Sequence, residues 1–369
     1  MKLTLTIIRY IVGILFIFSG LVKANDPHGL SYKMQEFFEV LNLHALNEYS
    51  LAFSLLMNAF EIVAGVAVIL GWRMRLFSWL LLLLIIFFTF LTGYALFSGK
   101  IRECGCFGDC IPLQANESFI KDLILLGLIL VIFCFRNRIK PVLSNRANIL
   151  ILLITTIFSF GFQWYVLKHL PVVDCLPYKP GKNIVSQLKA PPGSIPDSTV
   201  ITFVYKKDGK EVEFSSENFP EDFDDEKYSF VRRYDKVVRV GNATPPIKDF
   251  ILQSLSGTDT TIALLSEPKH QLFLFLKDGY VTEGWGKDFT KVLETAKAAG
   301  TPVFLVTNLS ADQWSSLPKE VQGLTILRCD GTAIKTAARA NPTLISINNS
   351  VIEKKWSYAD LDEASDHLK

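Results

Sequence analysis

A chain of 369 residues, with a net charge of +2 and a hydrophobic fraction of 50%, has room for two or three domains and carries no global field that would draw it to nucleic acid. It has no Walker loop, no GxGxxG run and no HExxH, which removes the commonest nucleotide, dinucleotide and metalloprotease signatures. The apolar excess is confined to residues 1–170, while 171–369 have the charge density of an ordinary soluble domain.

Residues 3–22 (LTLTIIRYIVGILFIFSGLV) are long enough to cross a bilayer core at about 1.5 Å per residue. A signal peptide cut after Ala24 competes with that reading, but the expectation is a retained helix. Residues 23–50 begin with Asn25-Asp26-Pro27-His28-Gly29, read as a turn. Met34, Phe37, Phe38 and Leu41 then recur at helical spacing among charged residues, the pattern of an amphipathic helix lying at the interface. Further spans are expected at about 51–71, 77–97, 119–136 and 149–168. Glu61, the acid inside the second span, is costly in a bilayer and so marks either function or an ion pair with Arg9 or Lys23.

Orientation follows from the basic residues of the short loops. Arg73 and Arg75, then Arg136, Arg138, Lys140 and Arg146, fall on the same side as Lys2. The expectation is a cytoplasmic N-terminus, five crossings and a C-terminal half outside. Cys104-Gly105-Cys106-Phe107-Gly108-Asp109-Cys110 and Cys175 then share the oxidising face. Cys134 sits at the other end of its span and reads as a small core residue.

Four sulfurs at 104, 106, 110 and 175 allow three pairings. A Cys104–Cys106 ring would be strained, whereas Cys106–Cys110 or Cys104–Cys110 closes more easily. With Cys175 as a resolving thiol, a thiolate would attack a partner disulfide and pass electrons to another disulfide or to a quinone in the bilayer. The competing reading is a pair of static disulfides that brace the loop. A metal site is disfavoured, because the spacing is not that of paired Cys-x-x-Cys knuckles and no histidine is near.

Residues 171–196 are rich in Pro and Gly and read as an extended tether. Val200–Tyr205 and Glu211–Phe214 are strand candidates around the hairpin signal Lys207-Asp208-Gly209-Lys210. An acidic loop follows at 217–227, and then a third strand at Val237–Val240. From Pro245 strands and helices alternate: strand His270–Leu276, helix Asp288–Ala299, strand Pro302–Val306, helix 311–317, strand Thr325–Arg328 and helix 332–338. A hairpin, Leu344–Ile347 with Val351–Trp356, and a closing helix 360–368 complete the chain. Cys329 reads as a buried or half-buried thiol. The domains expected are 1–170 (membrane), 171–244 (tether and hairpin) and 245–369.

Gly20-Leu21-Val22-Lys23, Glu61 and the Cys104–Gly108 run resemble the DoxX/MauE superfamily of small bacterial membrane proteins, over about residues 5–136. The resemblance implies an inner-membrane protein of extracytoplasmic redox metabolism with an extracytoplasmic thiol or disulfide protein as partner. The order of elements in 245–369, with Ala340-Asn341-Pro342-Thr343 entering the hairpin, resembles a thioredoxin-like domain, in which Pro342 would be the cis-proline beside the active site. The redox Cys-x-x-Cys of that fold would fall within Lys277–Trp285, where this chain has no cysteine, so only the fold carries over. Cys104, Cys106, Cys110 and Cys175 are the candidate catalytic residues, with Glu61 and Pro342 in support. The alternative is a non-catalytic protein whose C-terminal domain positions a partner.

Overall fold

The computed structural model describes residues 2–368 except 102–104, 197, 217, 225, 240, 278–283, 311–312 and 315–316; for Lys2 and residues 236–238 it describes the backbone. Two compact units are present: residues 1–182 with 251–369, and residues 183–250.

The first unit opens with helices α1 (Lys2–Asn25), α2 (Pro27–Val40), α3 (Ser50–Leu70), α4 (Met74–Ser98), α5 (Ala115–Cys134) and α6 (Asn145–His169). Among the described residues, four stretches are helical, long and apolar enough to cross a membrane: Leu3–Asn25, His44–Leu70, Met74–Ser98 and Asn145–His169. Helix α5 covers the remaining expected span, but it begins with Glu117, Lys121 and Asp122, and only Leu123–Cys134 is free of charge. Asn25-Asp26-Pro27-His28-Gly29 is not a free turn. Asp26 caps α2, accepting from the Gly29 amide at 3.0 Å, and Pro27 occupies the first helical turn, where its missing N–H costs nothing.

Helices α1 and α3 cross with their backbones touching. A Cβ on Gly65 would lie 2.6 Å from the Gly13 carbonyl oxygen, and one on Gly13 would lie 2.8 Å from that of Gly65. Only glycine allows this approach. A buried amide contact ties α6 to α3, with Asn58 Nδ2 donating to Gln163 Oε1 at 3.1 Å and Gln163 Nε2 donating to the Leu55 carbonyl at 3.2 Å.

The rest of this unit is a five-stranded sheet with its helices. Its elements are α8 (Thr261–Leu265), β4 (His270–Leu276), α9 (Gly286–Ala298), β5 (Val303–Thr307), β6 (Thr325–Arg328), α10 (Gly331–Ala337), β7 (Thr343–Asn348), β8 (Val351–Ser357) and α11 (Leu361–His367). The strand order is β6-β5-β4-β7-β8. Strands β4, β5 and β6 are parallel, and β7 and β8 antiparallel. Central β4 is buried from Gln271 to Leu276, as a strand covered on both faces must be. Leu272, Leu274 and Leu276 pack with Phe289 and Val292 of α9 and with Leu361 and Ala364 of α11. The Asn341–Pro342 bond is cis.

The stretch after α6 is not an extended tether. Leu176 and Tyr178 are buried. The Gly181 amide donates to the Ile352 carbonyl at 2.7 Å and the Ile352 amide to Lys182 at 3.0 Å, so the segment runs along β8.

The second unit, residues 183–250, contains α7 (Ile184–Gln187), β1 (Ser198–Lys207), β2 (Lys210–Ser215) and β3 (Ser229–Arg239) in the sheet order β2-β1-β3. Strand β3 is far longer than the expected Val237–Val240, because its exposed, charge-rich half (Val231 to Asp235) gives no apolar alternation to read. Tyr205 and Phe214 stack at 5.2 Å, inside a cluster with Phe223 and Tyr228.

Candidate functional site

The site is built where α1, α3 and α5 meet the cysteine loop. Gly105 and Gly108 adopt φ of +68° and +56°, conformations that glycine reaches without strain, and the backbone turns through Gly108–Cys110. Beyond α6, the Asn25 side chain grips the chain, donating to the Val173 carbonyl at 2.8 Å and accepting from its amide at 3.0 Å. Cys175 is thereby held beside the loop, and Cys110 and Cys175 form a disulfide across a Cα–Cα distance of 4.8 Å.

Each cysteine of that bridge follows an aspartate engaged by a buried cation of the sheet domain. Arg339, 4% exposed, donates from Nη2 to Asp109 at 2.7 Å and from Nε to Asp26 at 2.8 Å. It also donates from Nη1 to the Lys335 carbonyl at 2.7 Å and lies 5.3 Å from the Tyr32 ring centroid. Lys355 pairs with Asp174 at 2.9 Å, and burial holds its ammonium below the usual lysine range despite that partner. Lys277 Nζ donates to the Tyr32 hydroxyl at 3.2 Å, and the Lys277 amide donates to Asn341 Oδ1 at 3.0 Å. The Pro342 end of the sheet thus rests on α2 and on the cysteine loop. The segment in which a Cys-x-x-Cys would fall, residues 278–283, lies outside the described residues, as does Cys104.

Cys106 is a half-buried free thiol. Burial pushes it above the ordinary thiol value; the cations of Lys121 and Lys23 act in the opposite direction, and Asp122 adds to the rise. Ser19 Oγ lies 3.2 Å from the Cys106 carbonyl and 3.0 Å from Glu61 Oε2. Of the two partners expected for Glu61, Lys23 is the one it meets, and both are buried. Beside them Lys121 pairs with Asp122 at 2.6 Å, and Thr92 Oγ1 lies 3.1 Å from Asp122 Oδ2. These groups, together with Lys33 and Glu117, line one cavity of about 1010 Å³ whose remaining walls are largely apolar.

The other thiols stand apart. Cys329 is buried and free, and burial pushes it up to about 12. Cys134 is exposed at the end of α5, not a core residue. Arg339, Lys355, Lys121 and the aspartates at 26, 109, 122 and 174 were not singled out from sequence. The signal that was there is that Asp109 and Asp174 each directly precede a cysteine.

The fold and the site define a membrane protein that carries a sheet domain and a disulfide joining the cysteine loop to the segment that follows its last long apolar helix. Residues 1–135 match the family model described as methylamine utilisation protein MauE. Residues 199–240, the three-stranded sheet, match a model described only as a domain of unknown function (DUF8463). No curated protein and no solved structure matches the chain.

Proposed function

We propose that the protein is a thiol–disulfide relay of the bacterial cytoplasmic membrane. It crosses five times, α5 included, with its N-terminus in the cytoplasm and its cysteine loop and sheet domain outside. The alternation of basic loops supports that orientation. The parallel-then-antiparallel sheet and the cis-proline support a thioredoxin-like reading of residues 245–369, without the redox Cys-x-x-Cys. In this reading Cys110–Cys175 is the disulfide that an extracytoplasmic thiol protein attacks. Cys106, which shares its loop with Cys104, takes the electrons inward from Cys110, Glu61 belongs to the polar end behind it, and the domain around Pro342 positions the partner.

The observation that carries this reading is the gathering of Cys110, Cys175 and free Cys106 at one end of the helix bundle. A second reading, a static brace, is favoured by the buried pairs Arg339–Asp109 and Lys355–Asp174 that flank the disulfide. A thioredoxin whose resolving cysteine is replaced by Ser separates the two. In a relay its remaining thiolate attacks Cys110–Cys175, releases one of the two thiols and stays joined to the other as a mixed disulfide, visible as a reducible shift on a gel. If no such adduct forms with the folded chain, the relay reading fails.

A further inference from the structure

We infer that the cavity beside Cys106 binds a lipid-soluble quinone and that the thiols are oxidised there; this rests on the relay reading above. The volume, about 1010 Å³, is at the upper end of ordinary ligand pockets, roughly 300–1,000 Å³. Its walls include Phe16, Phe37, Phe60, Phe88 and Leu125, which suit an isoprenoid tail. Leu56, Phe90, Ile120 and Ile124 also line it and are exposed on the outer surfaces of their helices. The cavity therefore opens sideways at the level of the apolar helix surface, and a ligand enters from the hydrocarbon.

One end differs sharply from these walls. Lys23 with Glu61 and Lys121 with Asp122 place two cations and two carboxylates around a free thiol. Charged groups buried at membrane depth are costly and mark function. An acyl chain has no use for them. A quinone ring has two carbonyl oxygens that accept from ammonium groups, and a cation beside such an oxygen stabilises the negative charge that grows on it during reduction. Carboxylates at the same point can pass protons to it.

The electron balance closes without a further reactant. A partner dithiol reduces Cys110–Cys175 by exchange, leaves as a disulfide and yields two thiols. The Cys106 and Cys110 thiols give two electrons and two protons to the quinone, forming a Cys106–Cys110 disulfide and the quinol. Cys175 then attacks the Cys110 sulfur, which restores Cys110–Cys175 and returns Cys106 as a thiol.

The test uses the purified full chain in detergent, without oxygen, and the fully substituted ring of decylubiquinone, which cannot arylate a thiol. The rate of Cys106 alkylation is read by peptide mass spectrometry, with exposed Cys134 as the internal control. Decylubiquinone is expected to protect Cys106 at least ten-fold, and decanol, which has the tail without the ring, is expected not to. Lys121→Met should weaken protection roughly ten- to hundred-fold through loss of a charge-assisted hydrogen bond. Should that variant fail to fold, Ile124→Trp at the exposed mouth is expected to weaken it without disturbing the helix. Equal protection by decanol, or no protection by either compound, would overturn the inference. The relay reading is scored separately, by reduction of Cys110–Cys175 with a reduced thioredoxin in the absence of quinone. Exchange without quinone protection refutes the cavity alone, and protection without exchange refutes the relay.

Discussion

Replacing Arg339 with Met should loosen the sheet domain from the cysteine loop. The guanidinium holds Asp26 and Asp109 through separate nitrogens and the Lys335 carbonyl through a third, and methionine fills similar space without them. Breaking a buried pair by removing one partner costs about 3–5 kcal/mol, because the other charge is left uncompensated. Asp109 is 35% exposed and can recover some hydration, and Asp26 keeps its bond to the Gly29 amide. The lower end, about 3 kcal/mol, is therefore the appropriate figure. Hydrogen exchange is the suitable assay, since a multi-domain membrane chain does not unfold in one step. Amides in 26–31, 105–110 and 331–340 should exchange roughly 150-fold faster. Arg339→Lys, which keeps one charge and loses the fork, should fall between. If exchange in all three segments changes less than about three-fold, the clamp is not what holds the domain.

His28 should make stability depend on pH. Burial first, then the cations of Lys277 and Arg339, lower it from 6.5 to about 3. Between those values the unfolded chain binds a proton that the folded chain does not, so the contribution is complete above about pH 6.5 and is lost as pH falls toward 3. Near pH 5 the loss is about 2 kcal/mol, and His28→Phe should flatten the melting profile in that window. Gly65→Leu should force α1 from α3 through the Gly13 carbonyl, costing about 1–3 kcal/mol or more, and a thermal melt no different from the parent would refute the close crossing. Reporter fusions at Ile111 and Asn145 should report opposite compartments, and two cytoplasmic signals would overturn the five-span orientation.

Strand β4 was legible whole because His270–Leu276 is a bounded apolar run, and the long apolar helices were legible because bilayer-length runs are. The start of α2 was missed although Asp26-Pro27 carries both a cap and a first-turn proline, since the same pair also reads as a turn. The Pro/Gly-rich segment after α6 looked like a tether because the sequence does not reveal that β8 offers an edge to Gly181 and Lys182. Three cysteine pairings stayed open, since connectivity is set by how α1, α6 and the loop come together. Arg339 and Lys355 could not be found at all. Their partners lie 230 and 181 residues away, and a single basic residue in a soluble domain has no local pattern to mark it.

The equilibrium reduction potential of Cys110–Cys175, titrated in the full chain against dithiol buffers, bears most directly on the proposed relay. Exchanging disulfides fall at about −120 to −270 mV, whereas structural ones lie below about −300 mV. A relay predicts a value inside the exchanging range, with thiol forms of both cysteines populated at the same poise. A potential below about −300 mV would make the bond a brace and would contradict the proposed function.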